Sequence, residues 1–469
     1  MTDLAHAGVA ETARLVAGGE VSARGAVELA LARIAERDRG LNAISQLMVD
    51  AAIAEAQARD EALAAGGPVG PLHGVPLVIK EEIDVAGTVT TFGGEANSTP
   101  AAADAEVVRR LRVAGAVIVA KTTMPEFGAF PFTESASRGV TRNPWDRGRT
   151  PGGSSGGTAV AVSAGMVPAG MGGDGGGSIR IPSASCGLFG LKPQRGRVTT
   201  APHPHLWWAL GTAGPLTRSV LDSALVYDAI RGNVDGDLYT AGGDEPFVAA
   251  AGREPGRLRI GWSVKPVSLG VRPDPVHVRA VQDTARLLAD LGHDVREIDP
   301  RYPDPTAAFV PQFFAGIRAE ADQVEHFERL ERRTRETYRL GSWVTQKVID
   351  GALRRSEQVS AKANRVFDGP DGVDVLLTPA IAHRPPRVGR LDGVGTVRAS
   401  LRAMPSIAYA ALWNVAGNPA ASLPCGLAAD GLPVAVQLVG RTDDEATLFS
   451  LSAQLEAARP WPLVAGDAS

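Results

Sequence analysis

Apolar residues recur with helical spacing through the N-terminal part of the chain, and charged residues lie between them. Apolar positions every three or four residues are typical of amphipathic helices. The pattern predicts three helices, over residues 8–18, 22–37 and 47–65, and it places Ser22 as the N-cap of the second. We therefore expect residues 1–68 to form a helical N-terminal region.

Two short apolar runs follow, and each ends in a lysine. Residues 75–79 precede Lys80, and residues 117–120 precede Lys121. Short apolar runs of this kind predict buried strands. The same patterns predict further helices over 105–114, 158–165, 220–231, 274–291 and 443–458, and further strands over 257–262, 295–298, 373–377 and 432–439. Helices that alternate with such strands favour an α/β fold with a largely parallel sheet.

Residues 306–366 have a different character, because they are charged, helical in pattern and poor in strand-like runs. We interpret this segment as a helical insertion or cap over one side of the core, not as an independent domain. The sequence then predicts one domain over residues 1–469. Its catalytic core would span residues 70–265, and residues 373–469 would return to that core.

Glycine clusters in two patches between residues 150 and 198. The first reads Pro-Gly-Gly-Ser-Ser-Gly-Gly over 151–157, and the second reads Met-Gly-Gly-Asp-Gly-Gly-Gly-Ser over 171–178. Glycine is used where the backbone takes a positive φ or approaches another group closely. Two such patches about one helix apart suggest backbone N–H groups that converge on a small negative charge. Interleaved alanine, valine and isoleucine argue against a flexible linker.

The composition narrows the class of protein. The formal charge is −4 and the pI is near 6.1, so the chain lacks the excess of basic residues typical of nucleic-acid-binding proteins. Nucleic acid is therefore not an expected partner. The two cysteines, Cys186 and Cys425, show no disulfide framework and no zinc-binding spacing. No apolar leader segment or 18-residue apolar run is present. We expect a cytoplasmic protein, monomeric or homodimeric, that does not engage membranes.

Serine chemistry is indicated, but its base is not evident from the pattern alone. Gly153-Ser-Ser-Gly-Gly157 fits G-x-S-x-G, yet the residues before it cannot form the apolar strand of a nucleophile elbow. The eight histidines are scattered along the chain. A lysine can accept a proton from serine where burial disfavours its ammonium form. Lys80 and Lys121 both fit this description.

The glycine-rich stretch resembles the amidase signature family. The likeness is carried by Pro151-Gly-Gly-Ser-Ser-Gly-Gly and by Asp174-x-Gly-Gly-Ser178-Ile-Arg-x-Pro182. Further family-like segments lie at 72–80, 121–127, 187–198, 413–424 and 431–440. The resemblance implies a large mixed β-sheet enclosed by helices.

The resemblance also implies the roles of individual residues. Ser178 would be the nucleophile, Lys80 the base, and Ser154 the bridge between them, joined to Gly153 by a cis peptide bond. Ser155 would support the site by hydrogen bonding. The oxyanion hole would be formed by the backbone N–H groups of Gly175, Gly176, Gly177 and Ser178. Neither a metal nor an organic cofactor is implied.

The chain departs from the common family pattern at several positions. Glycine stands at 175 where threonine is usual, and Glu81 and Glu82 stand where aspartate and asparagine are usual. Gln194 replaces a threonine that commonly follows Lys-Pro. These departures leave the implied catalytic groups in place, but they bear on substrate specificity.

An apolar substrate pocket is expected near the implied nucleophile. Trp207 and Trp208 are adjacent in a segment without strand or helix periodicity, so at least one of them should line a cleft. Further apolar surface is expected from Met124, Phe127 and Phe130. A pocket of this kind with few fixed charges favours bulky, uncharged groups.

Three functions remain to be compared. The leading hypothesis is a hydrolase of C–N bonds in small-molecule amides, similar to aryl acylamidases, nylon-oligomer hydrolases and carbamate- or urethane-cleaving members of the family. An alternative is the amidase subunit of a glutamine-dependent tRNA amidotransferase, against which the apolar residues 206–213 count. A non-catalytic scaffold is the third, and the presence of Lys80, Ser154 and Ser178 counts against it.

Overall fold

The computed structural model describes residue 4 and residues 6–268 and 270–466. Within these residues, eleven strands form one sheet and two more form a small hairpin. The strands are β1 (Ile44–Leu47), β2 (Pro76–Lys80), β3 (Val117–Thr122), β4 (Glu134–Ser135), β5 (Gly139–Val140), β6 (Ala169–Gly173), β7 (Phe189–Lys192), β8 (Ala213–Thr217), β9 (Arg259–Trp262), β10 (Asp294–Glu297), β11 (Val375–Pro379), β12 (Ala420–Leu427) and β13 (Pro433–Gly440).

The large sheet has the strand order β1-β3-β2-β6-β8-β7-β12-β13-β11-β9-β10. Parallel pairs join β2 to β3 and to β6, and join β9 to β10 and to β11. From β6 through β8, β7, β12 and β13 to β11 the strands are antiparallel. The α/β fold with a large mixed sheet is thus confirmed. The largely parallel sheet expected from the alternation of elements is wrong, because the middle strands are linked through long-range antiparallel pairing.

Helices cover both faces of this sheet. They are α1 (Val9–Ala17), α2 (Ala23–Arg37), α3 (Val49–Ala64), α4 (Glu106–Val113), α5 (Gly156–Ser163), α6 (Arg180–Cys186), α7 (Val220–Ile230), α8 (Phe247–Ala251), α9 (Pro275–Asp290), α10 (Thr306–Ala321), α11 (Arg332–Leu340), α12 (Gln346–Ala363), α13 (Thr396–Ile407), α14 (Ala411–Ala416) and α15 (Glu445–Ala458). As predicted, Ser22 caps α2, and its side chain accepts a hydrogen bond from the Gly25 N–H. None of the helices in the described ranges is long and apolar enough to cross a membrane.

Side chains of a strand alternate between the two faces of a sheet, and here both faces are buried. Leu77 and Ile79 of β2 belong to one hydrophobic core, with β7, α7 and α15. Val78, between them, belongs to a second core with α2 and α5. This is why β2 reads as a continuous apolar run.

The helical character predicted for residues 306–366 is confirmed by α10, α11 and α12. Helix α10 packs against α12, and α12 packs against α14. Phe309 of α10 joins a core that includes Trp413 of α14. The segment therefore lies beside the chain that returns to the sheet.

Candidate active site

Two lysines at neighbouring strand ends are separated by the pleat of the sheet. In the parallel pair β2–β3, Lys80 lies opposite Thr122, and Ile79 lies opposite Lys121. Paired residues share a face, and successive residues alternate between faces. Lys80 therefore shares the face of Thr122, whose hydroxyl is 2.7 Å from that of Thr158 on α5. Lys121 lies on the opposite face.

Lys80 is almost completely buried and has two close polar partners. Its Nζ donates a hydrogen bond to Ser154 Oγ over 2.8 Å. The same nitrogen is 2.8 Å from Glu82 Oε1, and the two side chains are 2% and 13% exposed. The lysine is thus joined to one of the two serines of the first glycine-rich patch.

Lys121 has a different environment. Its Nζ donates to Thr90 Oγ1 over 3.1 Å and to the Val89 carbonyl over 3.4 Å. Burial lowers the pKa of Lys121 to about 8, although the nearby carboxyl of Glu81 acts in the opposite direction. The structure therefore brings Lys80, and not Lys121, to the serine.

The segment that carries Ser154 is packed too tightly for larger residues. The Gly153–Ser154 peptide bond is cis. A Cβ on Gly153 would lie 2.9 Å from the Phe132 nitrogen and 3.1 Å from the Phe130 carbonyl oxygen. Such contacts with backbone atoms cannot be relieved by a side-chain movement, so position 153 has no room for a side chain.

Ser155 joins the two glycine-rich patches. Its Oγ donates to the Gly173 carbonyl over 3.2 Å and lies 3.3 Å from the Gly173 nitrogen, at the end of β6. The Ser155 N–H donates to the Ser178 carbonyl over 3.3 Å. Ser154 and Ser178 are therefore held on adjoining segments, with Ser155 between them.

The loop that leads to Ser178 is wrapped around the carboxylate of Asp174. The Gly177 N–H donates to Asp174 Oδ1 over 2.7 Å, and the Ile179 N–H donates to Oδ2 over 3.2 Å. The N–H of Gly177, one of the four expected oxyanion-hole donors, is thus engaged by this carboxylate. Gly177 has a φ of +123°, a conformation open to glycine.

Arg180 fixes this carboxylate from the other side. Its guanidinium lies 3.0 Å from Asp174 Oδ1, and both side chains are fully buried. It also donates to Asn414 Oδ1 over 2.6 Å and to Gln437 Oε1 over 2.9 Å. Burial by itself raises the pKa of Asp174, but the charge and hydrogen bonds of Arg180, with the hydrogen bond from Asn414, together outweigh it and hold that pKa well below its usual range. The loop therefore rests on a permanently ionised pair.

Ser178 opens onto a cavity of about 230 Å³. In the described part of the chain its lining contains no charged side chain; the polar ones are Ser178, Ser268, Thr306 and Ser400. The apolar lining is aromatic and aliphatic, and includes Phe130, Ile181, Trp207, Phe309, Val310, Phe313, Phe314, Met404 and Ile407. Ser178 is thus one of the few polar residues that line a largely apolar cavity.

Two of the five predicted pocket residues, Phe130 and Trp207, line this cavity. The other three, Met124, Phe127 and Trp208, are not among the residues that line it. Phe127 turns away with a φ of +52° and packs on Phe92, with ring centroids 5.5 Å apart. Met124 is buried, with 1% of its surface exposed. Trp208 stacks on His205 at 4.4 Å, outside the cavity.

Trp207 also forms a hydrogen bond with a side chain of α10. Its indole Nε1 donates to Glu320 Oε1 of α10 over 2.9 Å. Burial, and then the charge of Glu82, raise the pKa of Glu320 well above its usual range. Both effects favour the protonated, neutral form of Glu320.

Several site residues are not singled out by the sequence. Asp174 and Arg180 lie inside the second glycine-rich motif, and Asn414 and Gln437 lie inside the C-terminal family-like segments, so the motifs contain a signal for them. Glu320 carries no such signal, because it lies in the helical segment with no motif around it. No group of three or more histidine, cysteine, aspartate or glutamate residues in the described ranges is arranged to hold a metal ion.

Comparison with known proteins places these features in one family. The model of the amidase family matches residues 25–449. A Mycobacterium tuberculosis protein named "Putative amidase AmiB2" is 49% identical over 463 residues, which cover 98% of this chain and 98% of that protein.

Two solved structures have the same fold as this chain. A 6-aminohexanoate cyclic dimer hydrolase in complex with its substrate matches with a TM-score of 0.91 and 30% identity, covering 98% of both chains. A bacterial aryl acylamidase of the amidase signature family matches with a TM-score of 0.87 and 27% identity, covering 97% of this chain and 96% of the other. The chain therefore belongs to the amidase signature family and is an enzyme that hydrolyses amide bonds.

Proposed function

We propose that Ser178, Ser154 and Lys80 are the catalytic triad of this amidase. The observation that carries the proposal is the 2.8 Å hydrogen bond from Lys80 Nζ to Ser154 Oγ, on a segment tied to Ser178 through Ser155. A serine nucleophile needs a neighbouring base and a group that orients it. Support comes from the placement of Ser154, which accepts from Lys80 and is followed by Ser155, whose N–H donates to the Ser178 carbonyl.

The chemistry proceeds through an acyl-enzyme. Ser178 Oγ attacks the acyl carbon, its proton passes to Ser154, and the Ser154 proton passes to the neutral amine of Lys80. When the tetrahedral intermediate collapses, the C–N bond breaks and the proton returns along the same path to the leaving amine. Water then attacks the acyl carbon of the ester and gives a proton to Lys80 through Ser154. The bond from that carbon to Ser178 Oγ breaks, the proton returns to Oγ, and the acid is released.

The negative oxygen of the tetrahedral intermediate needs hydrogen-bond donors. The backbone N–H groups of Gly175, Gly176 and Ser178 are assigned to this role, and Gly177 is omitted because it donates to Asp174. Each such preorganised donor is worth about 2.7–4 kcal/mol in transition-state stabilisation. The Asp174–Arg180 pair keeps the loop in the shape that the donors require.

The substrates are hydrophobic amides, either aryl amides or linear secondary amides, and the proposal extends to carbamates. Support comes from the uncharged, aromatic lining of the cavity at Ser178. An apolar pocket gains most from groups that bury apolar surface. The names of two structural neighbours, an aryl acylamidase and a 6-aminohexanoate cyclic dimer hydrolase, support this proposal. The uncharged lining gives no support to a glutaminase role in a tRNA amidotransferase.

The nucleophile is tested with Ser178→Ala and a hydrophobic 4-nitroanilide. We expect kcat/KM to fall by at least about 1,000-fold, because the loss of a triad member removes the covalent route. The melting temperature should stay close to that of the wild type. An acyl adduct on wild-type Ser178, seen by mass spectrometry after rapid quenching, should be absent in the variant. Full activity of Ser178→Ala disproves the assignment.

The substrate class is tested with the purified protein alone. A panel of hexanoyl-4-nitroanilide, an aryl carbamate, acetamide and glutamine should give the highest kcat/KM for the first two compounds. Glutaminase activity that exceeds anilide hydrolysis would contradict the proposed class and favour the amidotransferase alternative.

A further inference from the structure

The indole of Trp207 fits a slot between two glycines on different parts of the chain. A Cβ on Gly175, in the loop before Ser178, would lie 2.9 Å from Trp207 Cε3. A Cβ on Gly316, inside α10, would lie closer still to Trp207 Cδ1. Real Cβ atoms do not approach other atoms this closely, so both glycines are needed for the ring to sit where it does.

This packing explains why glycine, and not the threonine usual in the family, stands at position 175. Threonine, the residue usual in the family at this point, would place its Cβ against the six-membered ring of Trp207. Trp207 itself has a φ of +50°, which is uncommon for a bulky residue. A conformation of this kind persists only where the surroundings enforce it.

Glu320 supplies that enforcement on the helix side. It lies one turn after Gly316 on α10, and its Oε1 accepts the indole N–H over 2.9 Å. Its Oε2 is buried and has no hydrogen-bond partner among the described residues. The titratable groups that face Glu320 are Glu82 and Lys80, whereas Arg318 and Asp322 of the same helix engage Tyr338.

The ring that these contacts hold is part of the substrate cavity. Trp207 lines the cavity together with Phe313, on which it packs edge to face at 5.4 Å between centroids. Gly176, next to the glycine of the slot, lies against Phe309 of the same helix. The position of the indole thus joins the wall of the chamber to the loop that carries Ser178.

We propose that Glu320 is a positioning residue that fixes Trp207 as the specificity-determining wall of the substrate cavity, and that Gly175 and Gly316 form the slot that admits the indole. The substrate group that this wall recognises is a bulky, uncharged hydrocarbon, aromatic or aliphatic. The inference rests on the proposed function in that it takes the cavity at Ser178 as the substrate site.

The test compares kcat/KM for hexanoyl-4-nitroanilide with kcat/KM for acetamide. We expect Glu320→Ala to lower this ratio by about 10-fold, since an apolar contact in a pocket is commonly worth that factor in discrimination. Glu320→Gln keeps an oxygen acceptor in a neutral side chain, so it should retain the wild-type ratio. A merely structural role would lower both kcat/KM values together and leave the ratio unchanged.

A second variant acts from the helix without touching the carboxyl. Gly316→Ala favours the helix, because alanine is the better helix former, but its methyl group collides with the indole. We expect a lower ratio, without loss of thermal stability beyond a few degrees. In a Trp207→Ala background, neither Glu320→Ala nor Gly316→Ala should change the ratio further, because residues that act through one partner are not additive.

The outcomes separate the two proposals. If Glu320→Ala and Gly316→Ala leave the ratio at its wild-type value, or lower it equally with and without Trp207, the positioning role is disproved. This holds whether Ser178→Ala is inactive or not. An active Ser178→Ala would instead overturn the catalytic assignment.

Discussion

Lys80 Nζ lies 2.8 Å from Glu82 Oε1, in a position almost closed to water. Carboxylate and ammonium thus form an ion pair beside Ser154. The usual family residue at position 82 is an uncharged asparagine, so this chain carries an additional negative charge next to its proposed base. Burial of such a pair costs the desolvation of both groups, which their mutual attraction must offset.

Replacement of Glu82 by glutamine should destabilise the protein. Removal of one partner of a buried pair leaves the other charge uncompensated and costs about 3 kcal/mol. The free energy of unfolding of Glu82→Gln, from chemical denaturation at pH 6, is the measurement. In the double variant Lys80→Met/Glu82→Gln both charges are gone, so the loss should be smaller than the sum of the single losses. Additive losses would show that the two groups do not interact.

The two strand-end lysines form a matched pair for testing the base. Lys80→Met should lower kcat/KM by about 100- to 10,000-fold, the range that general bases contribute. Lys121→Met should retain most of the activity, because its nitrogen contacts Thr90 and Val89 on the other face of the sheet. The measurement is kcat/KM of both purified variants for a 4-nitroanilide. A larger loss in Lys121→Met than in Lys80→Met would reverse the assignment.

The two adjacent tryptophans provide a second matched pair. Trp207→Ala should narrow the preference for a bulky anilide over acetamide by about 10-fold, since Trp207 lines the cavity. Trp208→Ala should leave this preference unchanged, because Trp208 stacks on His205 outside the cavity. Kinetics of both substrates with both variants provide the measurement. Equal effects of the two substitutions would contradict the cavity boundaries described above.

A buried carboxyl should make the stability of the protein depend on pH. Burial raises the pKa of Glu126 from its ordinary 4.5 to about 7. Between these values the unfolded chain has released a proton that the folded protein retains, so stability falls as the pH rises. The penalty reaches about 3 kcal/mol above pH 7.

Glu126→Gln removes this penalty and keeps an acceptor for the Glu331 N–H, which now bonds Glu126 Oε2 over 2.9 Å. The difference in unfolding free energy between the variant and the wild type should therefore shift in favour of the variant from pH 5 to pH 8. Urea denaturation at both pH values measures it. A difference that is constant across this range would show that Glu126 is ionised in the folded protein.

The extent to which the sequence specifies the structure differs between the helices and the middle of the sheet. The sequence predicts helices α2 and α9 within about one residue, because their apolar stripes are local signals. It does not predict strands β6 and β8, which read Ala-Gly-Met-Gly-Gly and Ala-Gly-Pro-Leu-Thr. Glycine and proline are uncommon in strands, so these segments lack a strand signal. They form strands because residues distant in sequence pair with them.

The site shows the same division. The two lysines have equivalent local patterns, and only the register of β2 on β3 assigns them to opposite faces. Likewise, Trp207 and Trp208 are neighbours in sequence, but Glu320, 113 residues away, engages only the first. Such contacts arise from tertiary packing, which a motif does not encode.

The long-range contacts of Arg180 affect when the enzyme can become active during its synthesis. The acceptors of its guanidinium include Asn414 and Gln437, which lie 234 and 257 residues further along the chain. During synthesis, the segment that carries Ser178 therefore leaves the ribosome long before the residues that anchor it. A nascent or truncated chain that stops before Gln437 would contain all three proposed catalytic residues. It would still lack one of the side chains that bind Arg180 and so hold the loop before Ser178 in place. Hydrolysis would thus begin only after Gln437 has been synthesised and has reached Arg180.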